Sequence, residues 1–354
     1  MTSSAGTWVA LLLADPSPCL RYLVLRELLA RPQDDSELAE LETLRPADPL
    51  LADLFTLQGA DGSWTSLDLG RTARAGQVVS TAQALMRLGY LGFRASHPAV
   101  QRAAEYLFSQ QREDGSWPLT GMAWPGQIDR DREVDGYAMI PLQTAIPLRG
   151  LAACGYATDP RAEQAYDWLL AQRLPDGAWP TGIASGNYGG VAGYRRLPHS
   201  RWGCRTNTTG ALICLALHPS RRASPEAQRA LDLLLARETR ERQALGFEVA
   251  RLIGAEEARG TLTYFARFDL ALILDLCWRV GASSRDERIA GIVQFVRQQQ
   301  GPYGLWEYTP RAQASRWVTF DLLRSLSRLD GSNRWVSLEP RTPFQAYPRR
   351  DRRY

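Results

Sequence analysis

Apolar residues recur every three or four positions in four segments of the chain, which is the spacing of one buried face of an α-helix. Each segment opens with His, Asp or Ser, and Pro98, Pro160 and Pro225 stand at first-turn positions, where proline is favoured. The four amphipathic helices predicted in this way are 97–111, 159–172, 224–237 and 286–300.

A second set of segments lies between them and carries few polar residues. It predicts helices at 78–90, 139–156, 207–217, 267–281 and 316–329. Helices with little polar surface belong in the interior of a protein. Alternating inner and outer helices, repeated at a period of about 60 residues, predict stacked αα-hairpins. Since strand-like alternation is nowhere sustained, the predicted class is all-α.

A short motif follows the outer helices. It reads QGADGSW, QREDGSW, QRLPDGAW and QGPYGLW, and its tryptophans are 53, 62 and 127 residues apart. Midway through the last interval, 233–247 keeps the helix but loses the motif. Gln can bond free terminal backbone groups, Asp-Gly forms a tight turn and Trp covers a hairpin end. We therefore predict structural roles for Gln58, Trp64, Gln111, Trp117, Gln172, Trp179, Gln300 and Trp306.

The amino-acid composition excludes several classes of reaction. The chain has 354 residues with 45% hydrophobic and 23% charged side chains, which is the composition of a globular protein. All 42 basic residues are Arg, so Schiff-base, pyridoxal-phosphate and Walker A lysine chemistry is excluded. The net charge is only +4, and the arginines are interleaved with 38 acidic residues along the chain. This distribution does not indicate nucleic-acid binding. Five scattered cysteines are expected to be reduced and mostly buried.

The apolar runs are too short for a membrane-spanning helix, and the N-terminus lacks the basic region of a secretion signal. A cytoplasmic location is therefore expected. We predict a helical cap at 1–57 that is continuous with the repeats at 58–330, and a basic C-terminal tail at 331–354. The tail either contacts anionic lipid, as peripheral proteins do, or has no ordered structure.

Three near-complete QxxDGSW motifs at a fixed period make 51–329 resemble the QW-repeat proteins of the terpenoid cyclase and protein prenyltransferase superfamily. Squalene-hopene cyclases are the best known members. The resemblance implies an α/α toroid, in which the N-terminal ends of the inner helices face a central cavity. It also implies an isoprenoid or other apolar small molecule as the substrate.

The sequence departs from the catalytic motifs of these relatives. Squalene-type cyclases place a DxDD acid directly before the Thr-Ala of one inner helix, but no carboxylate precedes Thr81 or Thr144 here. Protonation of an isolated alkene needs a strong acid in a dry pocket. Two functions therefore stay open: a divergent terpenoid cyclase-like or prenyltransferase-like enzyme, and a non-catalytic toroid that binds lipid or a protein partner.

The nearest acidic cluster is DRDREVDG, 129–136, directly before an inner helix. Asp131, Glu133 and Asp135 could supply a catalytic acid through mutual repulsion, or could hold a divalent cation such as Mg²⁺. The alternative is a solvated loop whose charge is offset by neighbouring arginines. Asp269, at the start of a later inner helix, is a further candidate for the catalytic acid.

Prenyltransferases hold zinc with an Asp-x-Cys pair and a His from the next repeat. Cys204 lies where that Cys would lie, but Trp202 occupies the Asp position. By ligand type, Cys204, Asp269 and His199 could form a mixed zinc site. The alternative is a buried thiol among unrelated polar residues.

Aromatic residues outside the motifs can bind isoprenoid chains and stabilise carbocations, or can simply fill a closed core. The candidate substrate-binding residues are Trp124, Tyr137, Tyr188, Trp202, Tyr264, Phe268 and Trp317. The Gly-rich segment 180–205 is long enough for a lid over a cavity, or for a mobile surface connection.

Overall fold

The computed structural model describes residues 5–65, 76–117, 140–182, 191, 195–236, 243–256, 265, 268–329 and 335–336. Within these residues the only strands are β1 (Gln243–Ala244) and β2 (Phe268–Asp269), which pair in parallel with Gln243 opposite Phe268. The remaining regular structure is helical, and the predicted all-α class is confirmed. None of the described helices is long and apolar enough to cross a membrane.

The chain divides into two compact units. The central unit comprises Leu54–Arg221 and Glu257–Ala266, and the terminal unit comprises Met1–Asp53, Arg222–Glu256 and Arg267–Tyr354. Helix α4 (Ala52–Thr56) spans the sequence boundary between them. Each unit is built from the predicted alternation of buried and amphipathic helices.

In the central unit, α5, α7 and α9 pack side by side as the inner row, and α6 and α8 pack outside them. Every residue of α7 from 141 to 152 and every residue of α9 from 205 to 216 is buried. By contrast, α6 buries a single apolar stripe. The bounds are α5 (Gln77–Tyr90), α6 (Pro98–Ser109), α7 (Pro141–Ala153), α8 (Pro160–Ala171) and α9 (Arg205–Leu217).

Two glycines let α5 and α7 approach closely. A Cβ added at Gly150 would lie 2.8 Å from the carbonyl oxygen of Ala82, and one added at Gly89 would lie 2.6 Å from Cβ of Ala153. Any larger side chain would force the two helices apart. Two thiols add to this inner row, since Cys154 donates to the carbonyl of Leu85 (3.2 Å) and Cys214 donates to that of Ala145 (3.2 Å).

The terminal unit repeats the same plan with α12 and α14 packed together, α10 and α13 against α12, and α11 against both inner helices. A π-helical turn (Val24–Leu28) continues α2. The bounds are α1 (Ala5–Leu13), α2 (Pro18–Leu23), α3 (Ser36–Leu44), α10 (Pro225–Leu235), α11 (Phe247–Leu252), α12 (Leu270–Val280), α13 (Glu287–Gln298) and α14 (Ser315–Leu329).

The outer helices begin where their sequences predict, because a side chain caps each N-terminus. Asp159 accepts a hydrogen bond from the N–H of Arg161, and Asp286 does the same for Arg288. His97 and Ser224 cap α6 and α10 in the same way. Such a cap satisfies a backbone donor that has no partner inside the helix. All five cysteines are buried and free, as predicted.

Candidate functional site

Each motif tryptophan ties its turn to the end of the outer helix before it. The indole N–H of Trp117 donates to the carbonyl of Leu107 (2.7 Å), ten residues earlier. The same bond with the same spacing occurs at the other three motif tryptophans, Trp64 (2.8 Å), Trp179 (2.7 Å) and Trp306 (2.7 Å). All four indoles are at most 1% exposed, so each one covers a helix end and satisfies a terminal carbonyl.

The backbone of each motif tryptophan is bonded to the next inner helix. The N–H of Trp117 donates to the hydroxyl of Thr144, and that of Trp179 donates to the hydroxyl of Thr208. The equivalent pairs are Trp64 with Thr81 and Trp306 with Thr319. The distances are 2.9–3.2 Å across the four pairs. These threonines therefore position the inner helices on the turns, a role that the sequence analysis did not identify.

The motif glutamine bonds to its own turn and, in two of the copies, to the next outer helix. Nε2 of Gln111 donates to the carbonyls of Gly115 (2.9 Å) and of Arg161 at the start of α8 (2.9 Å). Gln58 makes the same two bonds, to Gly62 and Ala99, and Gln300 bonds to Gly304.

The third copy corrects the predicted alignment. Gln172 lies seven residues before Trp179, whereas the motif glutamine of the other copies lies six residues before its tryptophan. Arg173 stands at the equivalent place, and its Nε donates to the carbonyl of Gly177 (3.4 Å). The turn from Arg173 to Trp179 has the same length as in the other copies, so Arg173 makes the turn contact that the sequence had assigned to Gln172.

Asp269 caps α12 and bonds to the turn of the repeat at 233–247, the copy that lacks the tryptophan motif. Its Oδ1 accepts from the N–H groups of Gly246 (2.8 Å) and Ala271 (3.1 Å), and its Oδ2 accepts from that of Glu248 (2.6 Å). Burial raises the pKa of Asp269 to about 6, and the charge of Glu248 adds to this while the three N–H donors oppose it. The carboxylate thus replaces the Trp–Thr bond of the intact repeats as the tie between a turn and an inner helix.

A second group of buried charges, which sequence reasoning missed, lies on the inner helices α12 and α14 of the terminal unit. Arg324 on α14 bonds to Asp321 and lies 3.5 Å from Asp275 on α12. Asp275 also accepts from Arg279 (2.7 Å). Burial raises the pKa of Asp321. Burial would also raise the pKa of Asp275, but Arg279 and Arg324 hold it below its ordinary value. Asp321 is therefore a further protonatable group in the interior of this unit.

The predicted zinc ligands do not gather into a metal site. Among the described residues, no group of three His, Cys, Asp or Glu side chains is arranged to hold a metal ion. Cys204 is fully buried at the start of α9. His199 adopts a left-handed backbone conformation (φ 56°) in the preceding loop. The carboxylate of Asp269 is bonded to backbone N–H groups.

The candidate aromatic residues fall into two classes. Phe268 and Trp317 are each 3% exposed and pack in the core of the terminal unit. Trp202 is 39% exposed, and the guanidinium of Arg201 lies 4.9 Å from its ring. The remaining candidates, Trp124, Tyr137, Tyr188 and Tyr264, lie outside the described residues.

The acidic candidates before α7, Asp131, Glu133 and Asp135, also lie outside the described residues. The chain is described again from Ile140, one residue before α7 begins. Of the predicted lid, residues 180–182, 191 and 195–205 are described. There Ser200 joins Asp176 of the motif turn (2.7 Å) to the N–H of Gly203 (2.8 Å), which fixes the C-terminal end on the turn.

Comparisons with known proteins identify the relatives of this architecture. Residues 38–193 match the family model of the squalene-hopene cyclase C-terminal domain. A squalene-hopene cyclase of Zymomonas mobilis is 30% identical over 133 residues, a match that covers 38% of this chain and 19% of the relative. The chain thus spans about a fifth of the length of this curated relative.

Solved structures are similar at lower identity. The type II terpene cyclase MstE from Scytonema is 16% identical with a TM-score of 0.32, and the match covers 78% of this chain and 95% of that one. A protein from Actinoplanes is 15% identical with a TM-score of 0.32, covering 79% and 97%. Through the segment that matches the squalene-hopene cyclase family, the predicted resemblance to the QW-repeat terpenoid cyclase superfamily is confirmed.

Proposed function

We propose that this chain is a divergent terpenoid cyclase-like protein that binds an isoprenoid or other apolar substrate. The observation that carries the proposal is the match of 38–193 to the squalene-hopene cyclase domain. The row of almost fully buried inner helices, α5, α7 and α9, supports it, because such helices can line an apolar interior. One relative in the comparisons, a variant of MstE, is described in complex with geranylgeranyl dihydroxybenzoate, an isoprenoid substrate.

The chemistry proposed is acid-catalysed cyclisation, or prenyl transfer with Mg²⁺ or Zn²⁺. Asp131, Glu133 and Asp135 are the proposed acids, because they directly precede inner helix α7 in the sequence. Mutual repulsion of nearby carboxylates would keep one of them protonated near neutral pH. Asp269 is the second choice, because burial already raises its pKa. Contact of the basic tail 331–354 with a membrane surface remains part of this proposal.

A non-catalytic toroid that binds lipid or a protein partner is the second candidate. The bonding of Asp269 favours it, because both carboxylate oxygens already accept backbone N–H groups. An acid held in this way positions a loop and has little freedom to donate a proton to a substrate.

The proposal is tested by solvent extraction and mass spectrometry of lipids that copurify with the full chain. The protein is then incubated with squalene and with prenyl diphosphates, with and without Mg²⁺ or Zn²⁺. Product that is lost in Asp131→Asn, Glu133→Gln or Asp135→Asn would support catalysis by the acidic cluster. Asp34→Asn, in the exposed N-terminal region, is a matched control and should keep full activity.

Two other results separate the candidates. Bound isoprenoid without turnover would favour the non-catalytic carrier. A folded protein with no bound lipid and no affinity for isoprenoids would overturn the enzyme and the lipid-binding toroid.

A further inference from the structure

The N-terminus of α9 differs from the capped ends of the outer helices. Its N-cap residue is Cys204, whose side chain makes no capping hydrogen bond. The helix is 13 residues long, so its dipole places partial positive charge at this end. This feature alone does not define a ligand site, but three side chains around it point to one.

Three polar atoms at this helix end are buried and have no hydrogen-bond partner in the part of the chain that the structure describes. They are Oγ1 of Thr181, Oγ1 of Thr206 and Nδ2 of Asn207. Thr206 and Asn207 are fully buried, and Thr181 is 7% exposed. A buried polar atom without a partner costs about 1–3 kcal/mol, and native proteins generally supply such atoms with a partner.

The orientation of the Asn207 amide is set by the protein. Its Oδ1 accepts a hydrogen bond from the backbone N–H of Leu142 at the start of α7 (2.9 Å). Nδ2 is therefore the atom presented without a partner, and it can only donate. The complementary atom of a ligand must then be an acceptor.

Backbone pairing brings the other groups to the same helix end. The N–H of Cys204 donates to the carbonyl of Trp179 (2.8 Å), and Gly203 pairs with Pro180, so Thr181 follows directly. Arg196 pairs with Cys204 in the same way, which places Arg195 next in sequence to this pairing.

Two buried arginines lie next to these groups in sequence. Arg205 is 1% exposed in the first turn of α9, and Arg195 is 6% exposed. The helix end thus combines the positive end of a helix dipole with two hydroxyl groups and an amide donor. An oxyanion is the ligand chemistry that this combination suits.

We infer that the N-terminus of α9 binds an oxyanion head group, a carboxylate or a phosphate, of the apolar molecule. The inference rests on the proposed function for the hydrocarbon part of the ligand. The evidence for its oxyanion is the geometry around Asn207.

Isothermal titration of the full chain with ligands that share one geranylgeranyl chain tests this directly. The ligands are the diphosphate, the carboxylic acid and the neutral alcohol, all with EDTA present, and inorganic pyrophosphate serves as a probe without an isoprenoid chain. Binding of an anionic ligand at least about tenfold tighter than the alcohol is expected, as for one charge-assisted hydrogen bond. Preference for the diphosphate or for the acid identifies which oxyanion the site takes.

Two substitutions connect the binding to this helix end. Asn207→Asp keeps the acceptor for the N–H of Leu142 but replaces the donor with negative charge, and it should abolish the preference for anions. Thr206→Val removes a hydroxyl that has no protein partner among the described residues, so it should fold normally and bind the anion about tenfold more weakly. Ser325→Ala on α14 removes a buried hydroxyl that likewise has no partner in the described part of the chain, and it should leave binding unchanged.

The outcomes separate this inference from the proposed function. Equal affinity for the alcohol and the anions would overturn the oxyanion site and leave isoprenoid binding in place. Binding of pyrophosphate that Asn207→Asp abolishes, without binding of any isoprenoid, would support the oxyanion site and count against the proposed function. Unchanged anion affinity in both Asn207→Asp and Thr206→Val would overturn the inference.

Discussion

The backbone N–H of Trp117 donates a hydrogen bond to the hydroxyl of Thr144, 27 residues later on the next inner helix (3.2 Å). Both residues are fully buried, so water cannot replace either partner. Thr144→Val should therefore lower the free energy of unfolding by about 1–3 kcal/mol, measured by urea denaturation. Thr206→Val makes the same change at a buried hydroxyl with no partner in the described part of the chain, and without ligand it should cost nothing. Equal losses in the two variants would contradict this role of Thr144.

The motif glutamine acts through its amide donor. Nε2 of Gln111 donates to two carbonyls, so Gln111→Glu would place a carboxylate against two acceptors and leave both without a donor. We expect the free energy of unfolding to fall by at least about 1–3 kcal/mol. Circular dichroism during urea denaturation measures this loss. Gln110→Glu at the exposed neighbouring position is the control and should change stability by less than about 0.5 kcal/mol. Similar effects at both positions would show that charge alone is responsible.

Burial decides how much an ion pair contributes. Arg288 bonds to Asp232 on α10 at 2.8 Å, with both side chains at most 5% exposed. Arg221 bonds to Asp167 at the same distance, but Asp167 is 71% exposed. Asp232→Asn should cost about 1–3 kcal/mol, because the buried guanidinium of Arg288 loses one of two carboxylate partners and keeps Asp286 at 3.0 Å. Asp167→Asn should cost less than about 1 kcal/mol. Thermal and urea unfolding measure the stability of both variants. Equal losses in the free energy of unfolding would contradict this contrast.

Protonation of Asp269 should stabilise the fold. Its pKa is about 6, above the ordinary value of 3.8, so the folded chain binds the proton more tightly than the unfolded chain does. This stabilisation is complete below about pH 4 and is lost as the pH rises through about 6, with a slope of up to about 1.4 kcal/mol per pH unit.

The measurement is the free energy of unfolding of the native protein minus that of Asp269→Asn, taken from pH 4 to pH 8. The difference should fall between about pH 4 and pH 6 and stay constant above that range. Taking the difference removes the contribution of the other acids of the chain. A difference that rises with pH would mean that the three N–H donors outweigh the effect of burial on Asp269.

The local features of this protein could be predicted because their causes lie close together in sequence. Asp159 caps α8 through an N–H two residues away, and Pro160 occupies the first turn. The outer helices therefore begin within one residue of the predicted positions. Trp179 and the carbonyl that it covers are likewise ten residues apart.

In the third motif, residue type and spacing indicate different residues. Gln172 has the residue type of the other motifs, whereas Arg173 has their six-residue spacing to the tryptophan. Arg173 lies six residues before Trp179, so its side chain is the one that faces the carbonyl of Gly177.

By itself, the sequence determined the helical repeat, the position of the capped helices and the relation to the terpenoid cyclases, because periodicity, caps and motif spacing are local. Only the tertiary structure decided which groups meet, such as Asp269 with the N–H of Gly246 and Asn207 with that of Leu142. These partners are 23 and 65 residues apart, and the spacing varies from one repeat to the next. Which buried atom finds a partner therefore depends on how the inner helices pack, and that packing leaves Nδ2 of Asn207 as the donor for which we infer a ligand.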